Sequence, residues 1–452
     1  MVKPMCSMKS FGCLFVLYFV LGLVPFSRIA QSAGLQEVTV RVDREYDNLF
    51  LLYRHLHANP ELSFHEAKTA ERIRKELELA GYQVTARIGG FGLVGMLKNG
   101  EGPTLMIRTD LDGLPVTEQT GLEYASRTKV HDEHENEVGV MHACGHDIHM
   151  TSFIGTARLL SQLKDRWRGT LLLIGQPAEE RGAGAKAMLA EGLFQKFPKP
   201  DFVLALHDNA NLQAGKIGIV EGNALAGVDS VDVLVRGVSG HGAYPQASKD
   251  PIVLSAQIIM ALQTIVSREI PPIEPAVVTV GSIHGGTKHN IIPDEVRLQL
   301  TIRHYSDNVR TLILEGIKRI SMNLALAAGV PSDRLPVITV SESIPPTIND
   351  MQLTRRIRIS IEEMLGKEKV ETTGPVMGGE DFGFLGRTEE RIPICIFWLG
   401  AANRDRFLEA GKEGGKPLPS LHSSQFAPDP EPAIKTGVKA MTAAALELLG
   451  KQ

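Results

Sequence analysis

Hydrophobic and polar positions follow two alternating patterns from about residue 40 to residue 225. Short, fully apolar runs that end in polar side chains are typical of the buried strands of a parallel sheet; they are TLMIRTDLDGLP, GTLLLIGQPAEE and DFVLALHDN. Amphipathic stretches between them predict helices: DREYDNLFLLYRHLHANPE with Asp43 as N-cap, SFHEAKTAERIRKELELAGY closed by Gly81, MTSFIGTARLLSQL and AGAKAMLAEGLF. This alternation predicts an α/β fold with a mostly parallel central sheet.

A different pattern begins near residue 226. The alternating strands VDSVDVLVRG, AVVTVGSIHGG, DEVRLQLTIRH and VITVSES enclose two helical stretches, DPIVLSAQIIMALQTIV and NVRTLILEGIKRISMNLALAAG. The order β-α-β-β-α-β predicts an α+β (ferredoxin-like) unit with an antiparallel sheet. The pattern of amphipathic helices and fully apolar strands resumes in TRRIRISIEEML and IPICIFWLG. We therefore predict a discontinuous domain of residues 40–225 and 341–452, interrupted by an inserted domain of residues 226–340.

The first 32 residues have the pattern of a secretory signal peptide. Lys3 and Lys9 precede the uncharged apolar run FGCLFVLYFVLGLVPF, and Ala30 and Ser32 supply the small residues of a cleavage site. This run of 16 residues is shorter than the roughly 20 that span a bilayer. We expect removal of residues 1–32, export, and no stable membrane span afterwards; an uncleaved membrane anchor is the alternative.

Composition narrows the class of protein. With 452 residues, 43% hydrophobic and 22% charged, the chain is that of a globular protein of more than one domain. Its formal net charge of −4 argues against nucleic acid as a partner and offers no basic patch for anionic membranes. Once Cys6 and Cys13 leave with the signal peptide, Cys144 and Cys395 are too few for a disulfide framework.

Residue types that bind metal ions recur at the polar ends of the apolar segments. The stretch MHACGHDIHM alone holds three histidines, one cysteine and one aspartate. The candidate metal ligands and their neighbours are Asp110, Asp112, Cys144, His146, Glu179, Glu180, His207 and His422. Because ligands in open α/β sheets bind at the carboxyl ends of the strands, we expect these side chains to gather at one edge. Cysteine, histidine and carboxylate together suit zinc and its first-row neighbours.

Each candidate also has a structural interpretation when it is taken singly. Cys144 could be a small buried residue, His207 a hydrogen-bonded histidine, and Glu179 with Glu180 a solvated helix start. Their joint occurrence favours a metal site. Cys144 and His146 supply two close ligands, and a bridged pair of cations can polarise an amide carbonyl and activate water. The side chains of adjacent Glu179 and Glu180 diverge, so one can bind metal while the other moves a proton.

A set of motifs resembles the dinuclear-metal peptidase/aminoacylase superfamily over about residues 43–449. In chain order these motifs are RTDLDGLP, MHACGHD, GQPAEE, ALHDN, VSGHGAYP, NIIP, MGGEDFGF and LHSSQF. They are most similar to the branch of hippurate hydrolases, N-acyl-amino-acid amidohydrolases and plant auxin-conjugate hydrolases. The resemblance implies a zinc-peptidase-like catalytic domain, an inserted dimerisation or lid domain, a homodimer, and two divalent cations (zinc, manganese, nickel or cobalt).

The resemblance also implies roles for individual residues. Cys144 would bridge the cations, Glu179 would be the acid/base, and the terminal ligands would be His146, Glu180, His207 and His422. Relatives outside this branch have a histidine at the position of Asp110 and a bridging aspartate; here Asp112 would support the site, as would Asp147 and His149. His241 would donate to the developing oxyanion in its own or the partner subunit, with an exposed turn histidine as the alternative. Asn290 and Arg303 would hold the substrate's amide or carboxylate.

The sequence thus predicts an exported metallo-amidohydrolase that cleaves N-acyl amino acids, hippurate-like conjugates or short peptides. Two departures from the common pattern, Arg181 in place of glycine and Gly379 in place of serine, bear on substrate choice. One rival hypothesis makes Cys144 a nucleophile activated by a histidine. Another is an exported metal- or ligand-binding protein that kept the cleft without turnover.

Overall fold

The structure is a computed structural model that describes residues 26–131 and 135–450. Residues 26–35 are described by their backbone alone. Residues 1–25, the larger part of the predicted signal peptide, lie outside the described residues, so that peptide stays a prediction. The first helix begins at Phe26, which makes the assignment of Asp43 as its N-cap wrong. The helix extends upstream because Val38 and Val42 continue its buried apolar face.

The described part of the chain contains ten α-helices. They are α1 (Phe26–Ala58), α2 (Ala67–Leu79), α3 (His146–Gln162), α4 (Gly184–Ala190), α5 (Leu193–Lys196), α6 (Pro251–Thr264), α7 (Asp307–Ala327), α8 (Met351–Leu365), α9 (Arg404–Ala410) and α10 (Pro430–Leu449). The stretch AGAKAMLAEGLF, predicted as one helix, forms α4 and α5, because Gly192 between them has a φ of 92°. Gly81 follows the end of α2 with a φ of 87°, as predicted for a closing glycine.

The strands are numbered along the chain in the same way. They are β1 (Gln83–Ala86), β2 (Leu93–Asn99), β3 (Thr104–Asp110), β4 (Lys129–His131), β5 (Glu137–Gly139), β6 (Gly169–Gln176), β7 (Phe202–Gln213), β8 (Ile217–Ile219), β9 (Gly222–Leu225), β10 (Gly227–Arg236), β11 (Gly240–His241), β12 (Ala276–Gly285), β13 (Ile291–Ile292), β14 (Glu295–His304), β15 (Val337–Ile344), β16 (Thr347–Asn349), β17 (Val370–Thr372) and β18 (Ile394–Ala402).

The main sheet has eight strands in the order β1-β2-β6-β3-β7-β18-β8-β17. Its centre, β6-β3-β7-β18, is parallel throughout, whereas β1, β2 and β6 pair antiparallel. Every residue of β3, β6 and β18 is buried, because apolar clusters cover both faces of the sheet. Helices α1, α3 and α10 pack together on one of these faces. The predicted α/β fold with a mostly parallel sheet is confirmed.

A second, wholly antiparallel sheet has the order β12-β14-β10-β15. Helices α6 and α7 pack against it through a separate apolar core that includes Leu254, Ile258, Ile313 and Ile317. The arrangement is the α+β (ferredoxin-like) unit that the β-α-β-β-α-β order predicts.

One apolar helical stretch of this second unit stands out. Pro251–Glu269, which comprises α6 and the π-helical turn after it, is long and apolar enough by composition to cross a membrane. Leu254 and Leu262 are buried in the core of the unit, which accounts for part of that apolar character. Ile252, Val253 and Met260 are exposed on the opposite side.

Candidate metal centre

Three adjacent parallel strands explain why the predicted side chains meet. In the order β6-β3-β7, each strand carries a polar group at or near its carboxyl end. Asp110 is the last residue of β3, Glu179 and Glu180 follow β6, and His207 lies within β7. Since parallel strands end at the same edge of a sheet, these side chains converge there.

A tight turn delivers the Cys-Gly-His segment to the same edge. Gly145 has a φ of 82° and immediately precedes α3. A Cβ atom built on Gly145 would lie 2.3 Å from Oδ2 of Asp208, so only glycine fits this position. The backbone N–H of His422 donates to the carbonyl of Ala143 at 2.8 Å, which brings the distant LHSSQF segment against the turn.

A series of contacts of 3.3–3.7 Å links the five predicted metal ligands. The Sγ atom of Cys144 lies 3.6 Å from Nε2 of His207 and 3.3 Å from Nε2 of His422. The Oε1 atom of Glu180 lies 3.7 Å from Nε2 of His146, and its Oε2 atom lies 3.7 Å from Nε2 of His422. Cys144 is thus central to the set. All are buried or nearly so except His422, whose side chain is 55% exposed.

Hydrogen bonds fix which ring nitrogen each buried histidine turns towards the cluster. The Nδ1–H of His146 donates to the carbonyl of Asp112 at 2.7 Å, and the Nδ1–H of His207 donates to the carbonyl of Asp208 at 2.8 Å. Their Nε2 atoms therefore point into the centre. Nε2 of His146 and Oε1 of Glu180 are buried without a hydrogen-bond partner. Such orphaned donor atoms, of the types that bind divalent transition metals, fit a cation site.

The electrostatics around the cluster favour bound cations. Negative charge is concentrated around the cluster, where six carboxyl groups are buried beside the guanidinium of Arg108. The carboxyl groups are those of Asp110, Asp112, Glu179, Glu180, Glu380 and Asp381. Burial raises the pKa of Glu180 to about 7, although nearby His146 acts in the opposite direction. Burial also raises the pKa of the Cys144 thiol, and the carboxylates of Glu180 and Glu179 raise it further. Divalent cations would offset this charge and favour the thiolate.

Supporting residues hold the ligands from behind. The Nδ1–H of His149 donates to Oδ1 of Asp110 at 2.9 Å, and its Nε2 accepts from the backbone N–H of Asp208 at 2.9 Å. Both ring nitrogens are used, so His149 orients Asp110 and has no free lone pair for a cation. Oδ2 of Asp112 accepts from the backbone N–H of Glu180 at 3.0 Å, which links it to both Glu180 and His146.

Glu179 occupies a different position from Glu180. The turn before it places Ala178 in the left-handed region, with a φ of 48°, and both glutamates follow in a short 3-10 helix. Oε2 of Glu179 lies 3.8 Å from Nε2 of His146, and a carboxylate oxygen lies within 4.8 Å of Glu380 and Asp381. Burial raises the pKa of Glu179 well above its usual range, and the carboxylate of Glu380 raises it further. Glu179 is therefore suited to accept and hold a proton.

Three other predicted residues lie elsewhere in the described chain. His241 is exposed in β11, where its Nδ1 accepts from the backbone N–H of Ala243 and its ring contacts Tyr244. The carbonyl of Asn290 accepts from Gly242 at 2.9 Å, so Asn290 lies beside His241. Half-buried Arg303 in β14 donates to the carbonyl of Met377 at 3.4 Å, close to the MGGEDFGF segment. Their roles stay predictions.

Sequence reasoning missed a buried charged network beneath Glu179. The guanidinium of Arg108 donates to Asp110 at 2.8 Å, to Glu380 at 2.8 Å and to Asp381 at 3.3 Å. Gln176 donates to Asp381 at 2.6 Å. The motifs RTDLDGLP and MGGEDFGF contain these residues and could have suggested the pairing, because a charged residue in an apolar strand needs a partner.

The fold and the site together define the class: a metal-dependent hydrolase whose centre lies at the carboxyl edge of an α/β sheet. Residues 106–447 match the peptidase family M20/M25/M40. The "IAA-amino acid hydrolase ILR1-like 2" of Arabidopsis thaliana is 34% identical over 78% of this chain and 77% of its own length. The N-acetyldiaminopimelate deacetylase of Lactobacillus acidophilus is 34% identical over 91% of this chain and 100% of its own.

A solved structure agrees with these sequence relatives. A dinuclear metal binding peptidase of Bacillus subtilis superposes with a TM-score of 0.72, at 29% identity, over 90% of this chain and 99% of its own. The chain belongs to peptidase family M20/M25/M40. It is accordingly an enzyme of a family of metal-dependent amidohydrolases and peptidases, with a site for two divalent cations.

Proposed function

We propose that the protein hydrolyses the amide bond of N-acyl amino acids or short peptide-like conjugates and releases an acid and an amino acid. The relatives named above as an IAA-amino acid hydrolase and an N-acetyldiaminopimelate deacetylase support this substrate class. The observation that carries the proposal is a second buried glutamate, Glu179, beside the predicted ligand Glu180. Both glutamates lie within 4 Å of His146, but Glu180 also reaches His422, whereas Glu179 also lies close to the carboxyl groups of Glu380 and Asp381.

The chemistry follows from these positions. Cys144, His146, Glu180, His207 and His422 would hold two divalent cations, which polarise the amide carbonyl and acidify water when bound. Glu179 takes a proton from the attacking water and passes it to the leaving nitrogen. A protein that only binds metal has no need for this second buried carboxyl group. The presence of Glu179 therefore argues against the alternative hypothesis, a metal- or ligand-binding protein that does not catalyse a reaction.

Arg303 is proposed to bind the carboxylate of the released amino acid. Its guanidinium lies beside Met377, two residues from Gly379 and close to the segment that carries Glu380. A planar guanidinium can bind a carboxylate through two hydrogen bonds. Asn290 and Gly379 are proposed to contribute to the choice of substrate.

Chelation tests this function against the rival in which Cys144 is the nucleophile. We expect a chelator to abolish hydrolysis of N-acetyl, N-benzoyl or indole-acyl amino acids, and added zinc or manganese to restore it. Iodoacetamide should leave the metal-loaded enzyme active, because Cys144 is buried and its sulfur would be held by the cations. Activity that survives chelation but not iodoacetamide would instead establish a cysteine hydrolase. Elemental analysis of the active protein identifies the cations.

We also propose a homodimer formed through the inserted unit. Strand β12 is at the edge of its sheet and therefore presents backbone groups for pairing. Exposed apolar side chains of α6, among them Val253 and Met260, lie on the same unit. In such a dimer, His241 would act on the substrate oxygen in the partner subunit's site.

Mixing two inactive variants tests whether His241 acts across the dimer. We expect His241→Ala and Glu179→Gln each to lose turnover as pure proteins. After unfolding and refolding together in equal amounts, heterodimers contain one site with both residues intact, so about a quarter of sites should be active. Turnover in the mixture is the measurement. A mixture as inactive as its parts, with heterodimers present by native mass spectrometry, would contradict the assignment.

A further inference from the structure

Helix α1 ends in a buried histidine that the proposed chemistry does not use. His57 is 1% exposed, and both of its ring nitrogens face carboxylate oxygens. Its Nδ1 lies 2.6 Å from Oδ2 of Asp147, and its Nε2 lies 3.0 Å from Oε1 of Glu118. Both carboxyl side chains are fully buried. Because each nitrogen must donate, the ring is an imidazolium with two anionic partners.

The surroundings of His57 are consistent with a fixed cation. Burial acts to lower the pKa of His57, but the hydrogen bonds to Asp147 and Glu118 outweigh it and raise the pKa to about 10. The rings of Tyr53 and Tyr124 enclose the imidazole, with centroid distances of 5.5 and 5.2 Å. The ring therefore has little freedom to turn.

The two carboxylates belong to segments that lead to different metal ligands. Asp147 directly follows His146, and its Oδ1 accepts from the backbone N–H of Ile148 at the start of α3. Glu118 accepts from the backbone N–H of Ser126 at 2.5 Å, which closes the loop that contains it. The next residue, Gln119, donates its backbone N–H to the carbonyl of Ser424 at 2.8 Å.

Ser424 connects this loop to the most exposed of the ligands. His422, two residues earlier, has a φ of 65°, a conformation that is uncommon for a residue with a side chain. Such a conformation persists only where the surrounding contacts hold it. The contacts of this segment run to Ala143 on one side and to Gln119 on the other. Gln119 directly follows Glu118, and Ala143 begins the short segment that leads through Cys144 and His146 to Asp147.

We propose that His57 is a positioning residue that sets the affinity of the metal centre. Through Asp147 it holds the Cys144–His146 segment, and through Glu118 it holds the loop that supports His422. It touches no substrate. This inference rests on the proposed function, because it requires that these segments bind cations.

Zinc titration of the full-length protein tests the inference, with a chromophoric chelator as competitor. We expect His57→Ala to weaken zinc binding by about 10–100-fold, the usual effect of losing a residue that orients a ligand. His57→Asn can replace the Nδ1 contact and His57→Gln the Nε2 contact, so each should lose less than His57→Ala. At saturating zinc, turnover of all three should return close to that of the unmodified protein.

His304 supplies the matched control. It is also a fully buried histidine, and its Nε2 lies 3.2 Å from Oδ2 of Asp229, but it belongs to the inserted unit. We expect His304→Ala to lower the melting temperature and to leave zinc affinity within about twofold, because distant sites act independently. Folded His57 variants with unmodified affinity would overturn the inference. So would an equal loss in His304→Ala, since affinity would then follow general stability.

A second variant covers the case in which no His57 variant folds. Glu118→Gln keeps the size of the side chain and removes one charge, so we expect a several-fold loss of zinc affinity. Unchanged affinity in Glu118→Gln would overturn the inference. If the unmodified protein takes up no zinc, the proposed function falls together with this inference. If it takes up zinc and the variants match it, this inference alone falls.

Discussion

Glu179→Gln is expected to lower turnover by about 10²–10⁴-fold while the protein keeps its metal. The amide has nearly the same shape as the carboxyl group, but it cannot take a proton from water. Glu179 is buried beside Glu380 and Asp381, an environment that raises its pKa and allows it to hold the proton before transfer. Turnover of an N-acyl amino acid and metal content per chain are the two measurements.

Glu76→Gln is the matched control for this substitution. Glu76 is also a buried glutamate, paired with Arg158 at 2.6 Å and with Arg72 at 2.9 Å, but it lies in α2. We expect this variant to be less stable and to turn over normally when folded. Near-normal turnover in Glu179→Gln would remove Glu179 from the mechanism. Loss of metal in that variant would make Glu179 a ligand instead.

Cys144→Ser is expected to have the second largest effect, on metal content. Cys144 contacts both His207 and His422, so it is the side chain best placed to join two cations. A serine hydroxyl stays protonated and binds zinc-like cations far more weakly than a thiolate. We expect a loss of affinity beyond the roughly 10–100-fold that follows removal of a supporting residue. Titration with zinc and elemental analysis provide the measurement.

Cys395, the other cysteine in the described residues, offers a control for the effect of replacing cysteine by serine. Cys395 is fully buried in β18, where its Sγ accepts from the hydroxyl of Thr354 at 3.3 Å. Cys395→Ser is expected to bind metal as the unmodified protein does. Unchanged metal content in Cys144→Ser would refute the bridging role and leave the histidines and Glu180 to hold the cations alone.

Much of the fold could be predicted because its strands are short apolar runs with polar ends. The start of α1 could not be predicted, because the helix begins at Phe26, within the segment that was assigned to a signal peptide. The break at Gly192 was missed for a related reason: a single glycine within an amphipathic pattern can be tolerated or can end a helix. Tertiary packing decides between these two outcomes, and it cannot be deduced from the pattern of apolar residues alone.

The candidate ligands could be predicted because their residue types are chemically distinctive and recur in or beside the polar ends of apolar segments. The supporting network could not be, because its members are far apart in the sequence. Arg108 and Glu380 are separated by 272 positions, and His57 and Asp147 by 90. A buried arginine or histidine signals the need for a partner without specifying which carboxylate supplies it.

The contact between Ala143 and His422 has a consequence for biosynthesis. Cys144 and His146 leave the ribosome long before His422, and α10, which packs on α1 and α3, follows later still. Because a nascent chain folds from its N-terminus, its early segments must wait for the segment around His422 before the centre can close. The two cations would therefore bind together only after the segment that carries His422 has been made. A chain truncated before residue 422 should accumulate without its metals.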